Sequence, residues 1–171
     1  MILKTSRLVL RPLVTDDADA MFEAIDDPAV MEFWDWPGAQ SIDEARGFVS
    51  ALCDEAAAGT AIHWAITLGG VVLGSCDLSE IDRHHRRAEV GFMLAQRYWN
   101  KGYALEAMQA AIAFGFDALE LERLSARTHS GNASSAKLLA KLRFRHEGTL
   151  KAFVRRDGAR RDCEIYGLMR G

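Results

Sequence analysis

The chain has 171 residues, of which 49% are hydrophobic and 26% charged, and its formal net charge is −3. These values are typical of a single globular domain, and they argue against nucleic acid as a direct partner, since that usually requires a basic surface. No stretch reaches the roughly 20 apolar residues of a membrane span, the N-terminus has no signal-peptide pattern, and three widely spaced cysteines form no disulfide or zinc framework. We therefore expect a cytoplasmic protein in which residues 1–171 form one domain.

Hydrophobic periodicity predicts the elements of the first half of the chain. They are a strand over 7–13, two helices over 17–26 and 41–57, and a hairpin formed by strands over 61–68 and 71–78. A loop punctuated by Pro28 and Pro37 separates the two helices, and Gly69-Gly70 supplies the hairpin turn.

The second half alternates strands and helices before a final hairpin. The predicted elements are a strand over 88–95, a helix over 103–118, a strand over 123–129, a helix over 133–142 and two strands around the turn Asp157-Gly158. Alternation along 88–95 places Val90, Phe92 and Leu94 on one face and Glu89, Gly91 and Met93 on the other. The order of elements indicates a mixed sheet with packed helices, in the α/β or α+β class.

Charge is unevenly distributed in two segments. Residues 16–35 contain eight acidic and no basic side chains, whereas residues 151–161 contain five basic and one acidic. In one interpretation, each segment simply forms a solvent-exposed face of the domain. Alternatively, the acidic segment attracts a cationic substrate and the basic segment contacts RNA or a ribosomal surface.

The segment WNKGYALEA (residues 99–107) places Gly102 directly before a predicted helix. Free N–H groups at a helix start bind anions such as phosphate, and Arg97 and Lys101 would add positive charge. The GxxxxGK[ST] and GxGxxG patterns are both absent. Considered alone, the segment is either an ordinary helix-start turn or an anion-binding turn.

A second junction of the same kind follows the strand over 123–129. The segment HSGNASSAKLLAKLRF (residues 129–144) places Asn132, Ser134 and Ser135 at the start of the next helix. Asn132 is a typical N-cap residue. Two such junctions would open onto one crevice beyond the strand ends, where sheets of this kind bind ligands.

Together these motifs resemble the GNAT superfamily of N-acetyltransferases, more closely the RimJ/RimL-type branch that acetylates N-terminal amines of ribosomal proteins. The resemblance covers nearly the whole chain, through TSRLVLRPL, IHWAI, VLGSCDL, AEVGFMLAQRYWNKGYALEA, NASSAKLLAKLRF and HEGTLK. It implies a single-domain, mixed and mostly antiparallel sheet flanked by about four helices. Strands 88–95 and 123–129 would splay apart to admit the pantetheine of acetyl-CoA, with the pyrophosphate on the amides of Asn100 to Leu105.

The resemblance also implies which residues bind acetyl-CoA as co-substrate. They are Phe92, Met93, Leu94, Arg97, Asn100, Lys101, Gly102, Tyr103, Ala104, Asn132, Ser134 and Lys137. Two positions depart from the family pattern: Trp99 replaces a Gln or Arg, and Arg143 replaces a glycine after the second helix. Because a non-glycine residue in a left-handed turn costs roughly 1 kcal/mol, we expect the turn at Arg143 to differ.

Acetyl transfer to an amine needs a base, an oxyanion donor and a proton for the departing thiolate. We predict Glu89 as the base, with Glu147 a weaker candidate, and a backbone N–H near Met93 or Leu94 as the oxyanion donor. Ser135 is the predicted acid, although its hydroxyl could instead cap the helix, and Tyr166 is the alternative acid. No metal is expected.

The acceptor is predicted from the segment FWDWPG (residues 33–38) and from amine chemistry. Trp34, Asp35 and Trp36 could hold an ammonium by charge and ring faces, or the aromatics could pack on the core. An α-amine of pKa about 7.8 is roughly one-tenth neutral at pH 7, far more than a lysine amine. This favours a protein or peptide N-terminus. Polyamine, aminoglycoside or amino-acid acetylation, a non-catalytic acyl-CoA-binding module and a homodimer stay open.

Overall fold

The computed structural model describes residues 1–171, and an eight-stranded sheet with helices on both faces forms its frame. The strands are Leu3–Lys4 (β1), Val9–Pro12 (β2), Ile62–Leu68 (β3), Val71–Asp82 (β4), Arg87–Leu94 (β5), Arg123–His129 (β6), Arg145–Arg156 (β7) and Ala159–Met169 (β8). Their order across the sheet is β1-β2-β3-β4-β5-β6-β8-β7. Every neighbouring pair is antiparallel except β5 and β6, which run parallel. The predicted mixed, mostly antiparallel sheet is confirmed.

The helices agree with the predicted positions apart from one short addition. They are Ala18–Ile25 (α1), Pro28–Met31 (α2), Ile42–Ala58 (α3), Tyr103–Asp117 (α4) and Ala133–Lys141 (α5). We had expected a loop where α2 lies. The Asp27 side chain accepts a hydrogen bond from the Ala29 N–H at 2.9 Å, and Pro28 occupies the first helical position. Asp followed by Pro is a helix-start signal that could have predicted this turn.

Two hydrophobic clusters pack on opposite faces of the sheet. The α4–α5 core contains Val90 and Leu94 of β5, and Trp64 of β3 meets Phe114 of α4 edge to face at 5.5 Å. The α1–α3 core contains Met93, from the other face of β5. The predicted alternation along β5 is therefore confirmed, and it decides which residues of that strand lie on each side of the sheet.

Arg143 corrects one expectation about the turn after α5. We expected the turn to change because glycine is missing, but Arg143 keeps the left-handed conformation, with φ +68°. The Phe144 N–H donates to the Leu139 carbonyl and the Arg143 N–H to the Ala140 carbonyl, both at 3.0 Å. These bonds satisfy the last carbonyls of the helix, and burial of Phe144 in the α4–α5 core holds the strained turn in place.

Candidate active site

The parallel strands β5 and β6 separate part-way along their length. Their register pairs are Arg87 with Arg123, Ala88 with Leu124 and Glu89 with Ser125. Beyond that point β5 continues to Leu94 and β6 to His129 without pairing to each other. The result is a V-shaped gap in the sheet, lined by backbone groups that have no partner strand.

Strand alternation decides which N–H groups of β5 face this gap. The Ala95 N–H donates to the Leu73 carbonyl of β4 at 3.0 Å. The backbone N–H groups of successive residues in a strand point toward opposite neighbouring strands. The N–H of Met93 therefore faces β4, and the N–H groups of Phe92 and Leu94 face the gap. Of the two positions predicted for an oxyanion donor, Leu94 therefore has the suitable direction.

The loop before α4 leaves a run of backbone N–H groups free. Asn100 and Gly102 adopt left-handed conformations, with φ +59° and +80°, and α4 has no side-chain cap. No backbone or side-chain group accepts a hydrogen bond from the N–H groups of residues 100–105. Together with the helix dipole, these donors are arranged to accept an anion, as predicted for the pyrophosphate of acetyl-CoA. We name this loop, residues 99–105, the anion-binding turn after that predicted role.

Trp99 has a structural role at this turn. Its indole Nε1 donates to the Leu94 carbonyl at 2.9 Å, which ties the loop to the end of β5. The departure from the family pattern at this position therefore leaves the backbone donors in place.

The two cations predicted to assist the turn, Arg97 and Lys101, differ in whether a carboxylate neutralises them. The Arg97 guanidinium pairs with Glu23 of α1 at 2.9 Å and lies over the Tyr98 ring, so its charge is already partnered by a carboxylate. Lys101 forms no ion pair, and its Nζ lies 5.8 Å from the Tyr98 ring centre. It is the free cation of this loop.

Arg7 is a residue of the turn that sequence reasoning missed. Its Nη1 donates to the Lys101 carbonyl at 3.0 Å, and its guanidinium lies over the Tyr103 ring. Its Nε pairs with Glu106 in the first turn of α4 at 2.6 Å. The signal was available in the TSRL segment, which contributed to the resemblance but was assigned no role.

Glu106 fastens the N-terminal segment to α4. It accepts hydrogen bonds from the hydroxyls of Thr5 and Ser6 and from the backbone and side chain of Arg7. Burial alone would raise the pKa of Glu106, but these hydrogen bonds lower it to about 2. The anion-binding turn thus rests on a fully ionised carboxylate.

At the start of α5 the two candidate polar residues have distinct roles. The Asn132 side chain accepts a hydrogen bond from the Ser135 N–H at 3.0 Å, so Asn132 is the helix cap. The Ser135 hydroxyl makes no hydrogen bond within the protein and is free to donate. Ser134 and Lys137 are exposed on the same first turns.

Glu89 is the last residue of β5 that pairs with β6, and its side chain is partly buried. Burial raises the pKa of Glu89 above its ordinary value; the Arg127 charge opposes this rise, and Glu80, Asp77 and Asp35 reinforce it. A carboxylate in such surroundings beside the gap has the chemistry of a general base.

The other two candidate acid–base groups, Glu147 and Tyr166, are engaged in contacts that stabilise the fold. Glu147 forms a two-bond ion pair with Arg123, and that hydrogen bonding holds the pKa of Glu147 below its ordinary value. Tyr166 of β8 packs against the α4–α5 core, and burial raises its pKa. Glu147 is therefore unsuited to act as a base.

The residues predicted to hold the acceptor lie between α2 and α3. Asp35 forms a bidentate ion pair with Arg127 of β6, at 2.8 and 3.2 Å, and contacts His129 Nε2 at 2.8 Å. Burial alone would raise the pKa of Asp35, but these partners lower it. Trp36 lies 4.9 Å from the Phe48 ring, and both Trp34 and Trp36 pack on the α1–α3 core.

The hairpin of β7 and β8 holds the loop between α2 and α3 in place. Arg156 is largely buried and donates from Nη1 to the carbonyls of Met31, Trp34 and Trp36, at 2.6 to 2.9 Å. Arg161 donates to the Glu32 carbonyl at 2.9 Å. Two arginines of the basic segment are therefore committed to the fold of the loop.

Two further features concern metals and membranes. No group of three or more His, Cys, Asp or Glu side chains is placed to hold a metal ion. None of the helices combines the length and the apolar character needed to cross a bilayer.

The splayed strands, the anion-binding turn and the carboxylate beside the gap are the features expected of an acyl-CoA-dependent transferase. A sequence model of the acetyltransferase (GNAT) domain matches residues 7–145, and the chain belongs to this family. It is an N-acetyltransferase that uses acetyl-CoA, as predicted.

Three relatives illustrate the range of this family. The uncharacterised N-acetyltransferase p20 of Bacillus licheniformis is 32% identical over 170 residues, 98% of this chain and 96% of its own. Spermidine N(1)-acetyltransferase of Escherichia coli K12 is 27% identical over 142 residues, 82% of this chain and 74% of its own. The structure of Mycobacterium smegmatis RimJ in complex with CoA-disulfide superposes with a TM-score of 0.87 at 25% identity, covering 99% and 86% of the two chains.

Proposed function

We propose that this enzyme acetylates the N-terminal α-amine of a protein or peptide by direct attack of the amine on the thioester. Glu89 accepts the proton of the amine, the Leu94 N–H stabilises the negative charge on the carbonyl oxygen, and Ser135 protonates the departing thiolate. The N–H groups of residues 100–105, with Lys101, hold the pyrophosphate. The gap, the free donors and the position of Glu89 support these roles.

The observation that carries the choice of acceptor is the pairing of Asp35 with Arg127 and His129. A polyamine needs free carboxylates for its additional ammonium groups, and this carboxylate is already neutralised. An open cavity of about 500 Å³ beside His129 is lined by Arg160 and Arg161 and also by Glu32 and Asp162. Its opposite charges balance, so the cavity offers no excess of negative charge to a polycation and is compatible with a peptide that carries a single amine.

The matching RimJ structure supports this choice, since RimJ belongs to the branch that the sequence resembles. A specific observation favours a second candidate, acetylation of a polyamine, because spermidine N(1)-acetyltransferase matches 82% of the chain. The difference between the two acceptors is one of charge, so the same assay separates them.

The test is coenzyme A release from acetyl-CoA with a panel of amines. It compares short peptides with free N-termini, the same peptides with a blocked α-amine and a free lysine, and spermidine. We expect turnover only of the free N-termini. A kcat/KM for spermidine more than about tenfold above every peptide would replace the proposed acceptor by a polyamine.

A further inference from the structure

Strand β7 carries a bulge in its middle. Between Leu150 and Val154, which both pair with β8, three residues of β7 lie opposite one residue of β8. Ala152, at the centre of these three, adopts a left-handed conformation with φ +52°. We call residues 151–153 the β7 bulge. Bulges are frequent beside active sites, where they change the direction of a side chain.

The strained backbone of the β7 bulge is held by two residues of β8. Asp162 accepts hydrogen bonds from the Ala152 N–H and from Lys151 Nζ, both at 2.8 Å. Arg160 Nη1 donates to the Ala152 carbonyl at 3.2 Å. These contacts keep the bulge in one conformation, and they thereby determine where the next residue, Phe153, leaves the strand.

The Phe153 ring lies against the Arg127 guanidinium of β6, whose carbon is 5.5 Å from the ring centre. Because β8 separates β7 from β6 in the sheet, the Phe153 side chain extends across β8 to reach this cation. Phe153 is nevertheless 53% exposed. The bulge therefore presents an aromatic surface to solvent beside Arg127, and Asp35 already neutralises that guanidinium.

The ring and the guanidinium lie on the face of the sheet that carries Glu89. Ser125 is the register partner of Glu89, and Arg127 follows two residues later on β6, so its side chain is on the same face. Two residues of a strand span about 7 Å. The Arg127 charge opposes the raised pKa of Glu89, in agreement with this proximity. Arg127 and Phe153 thus border the gap a short distance beyond its apex.

A peptide whose amine lies at Glu89 places its second residue at this distance. Consecutive Cα atoms are about 3.8 Å apart, and an α-amine nitrogen is about 1.5 Å from its own Cα. The second Cα therefore lies roughly 5 Å from the reacting nitrogen, and its side chain extends further. The side chain of the second residue is consequently the first that can reach the Phe153 ring.

The rest of such a peptide has a route along β6. The open cavity beside His129 begins two residues beyond Arg127 on the same face, and Arg160, which contacts the β7 bulge, also lines it. An extended chain rises about 3.3 Å per residue, so the third and fourth residues of the peptide would reach this cavity. Arg127 lies between the apex of the gap and the cavity.

We propose that Phe153 binds the side chain of the second residue of the acceptor peptide and selects an apolar one. The inference rests on the proposed function, since it takes a peptide N-terminus as the acceptor. An apolar side chain that covers the exposed ring removes apolar surface from water. A lysine there would bring a second cation beside the Arg127 guanidinium, which disfavours it.

The first test compares kcat/KM for peptides that begin with alanine and continue with leucine, glycine or lysine. We expect the wild type to prefer the leucine peptide about tenfold, the effect of partly covering one apolar side chain. In Phe153→Ala the preference over glycine should fall below about twofold, with kcat/KM for the glycine peptide unchanged. Phe153→Leu should keep part of the preference, because it retains an apolar side chain.

Met169→Ala is the matched control. Met169 is 61% exposed at the opposite end of β8, where it pairs with Arg123, and its loss should leave the preference for leucine unchanged. A wild type without this preference, an unchanged preference in Phe153→Ala, or an equal loss for all peptides overturns the role of Phe153. Turnover of spermidine but of no peptide overturns the proposed acceptor as well.

A second test needs no turnover. The acetylated leucine peptide, isotope-labelled in its leucine methyl groups, is added to the enzyme with coenzyme A and followed by NMR. Because an aromatic ring shifts the resonances of protons above its face, the methyl resonances should move upfield with the wild type and not with Phe153→Leu. An equal displacement with both proteins overturns the contact.

Discussion

Glu89 of β5 and Ser125 of β6 are register partners, and they form the last pair before the two strands separate. The apex of the gap and the proposed base therefore coincide in one residue. Parallel pairing up to this point holds the Glu89 backbone rigidly, whereas the free strand ends beyond it are available to acetyl-CoA.

Replacement of the base tests this relationship directly. We expect Glu89→Gln to lower kcat by about a hundredfold, because a positioned base contributes at least that factor, and to leave the Kd for acetyl-CoA unchanged. Steady-state kinetics and titration calorimetry measure the two quantities. Glu147→Gln is the control, since Glu147 is paired with Arg123; an equal loss of kcat in both variants would remove Glu89 from its role.

Substitutions of Ser135 and Asn132 should affect different properties, the rate of transfer and the stability of the fold. Asn132 caps α5, so Asn132→Ala should lower the free energy of unfolding by about 1 kcal/mol. The Ser135 hydroxyl makes no internal hydrogen bond, so Ser135→Ala should slow transfer and leave the melting temperature unchanged. Denaturation and single-turnover assays check the pair. A Ser135→Ala variant with wild-type transfer would reassign the acid, with Tyr166→Phe as the next variant.

The left-handed glycine of the anion-binding turn should control acetyl-CoA affinity. Gly102 has φ +80°, and an added Cβ would approach Arg7 Nη2 to 3.3 Å. We expect Gly102→Ala to raise the Kd for acetyl-CoA about fivefold, the equivalent of roughly 1 kcal/mol of backbone strain. Gly158→Ala is the matched control, because Gly158 has φ +77° with open space around it. Equal Kd values for both variants would contradict the role of this turn.

Glu106 should make stability depend on acid pH. The pKa of Glu106 in the folded protein is about 2, below its ordinary value of 4.5, so its contribution to stability is present above about pH 4.5 and is lost as pH falls toward 2. We expect Glu106→Gln to lower the free energy of unfolding at pH 7 by about 2 kcal/mol. This is less than the pKa shift alone would give, because solvent screens the Arg7 guanidinium. The difference between variant and wild type should disappear near pH 2. A difference that persists there would point to packing instead of charge.

Arg143 offers a stabilising substitution. Because its left-handed conformation is strained for any residue with a Cβ, Arg143→Gly should raise the free energy of unfolding by about 0.5 to 1 kcal/mol. Chemical denaturation measures this difference, and activity should stay at the wild-type level. A destabilised variant would show that the Arg143 side chain makes a compensating contribution.

The type and order of most elements could be predicted from the sequence, because hydrophobic periodicity and turn residues are local properties. The sides of β5 could be predicted as well, since alternation follows from strand geometry alone. Motifs in a fixed order identified the family, its cofactor and the free donors before α4. The short helix α2 was missed even though its Asp-Pro signal was present.

Which charges neutralise one another could be learned only from the folded arrangement of the chain. Asp35 lies 92 residues from Arg127 in the chain, and Arg7 lies 99 residues from Glu106, so no local pattern relates them. Ion pairs depend on distances of a few ångströms across strands, and those distances are set by packing of the whole sheet.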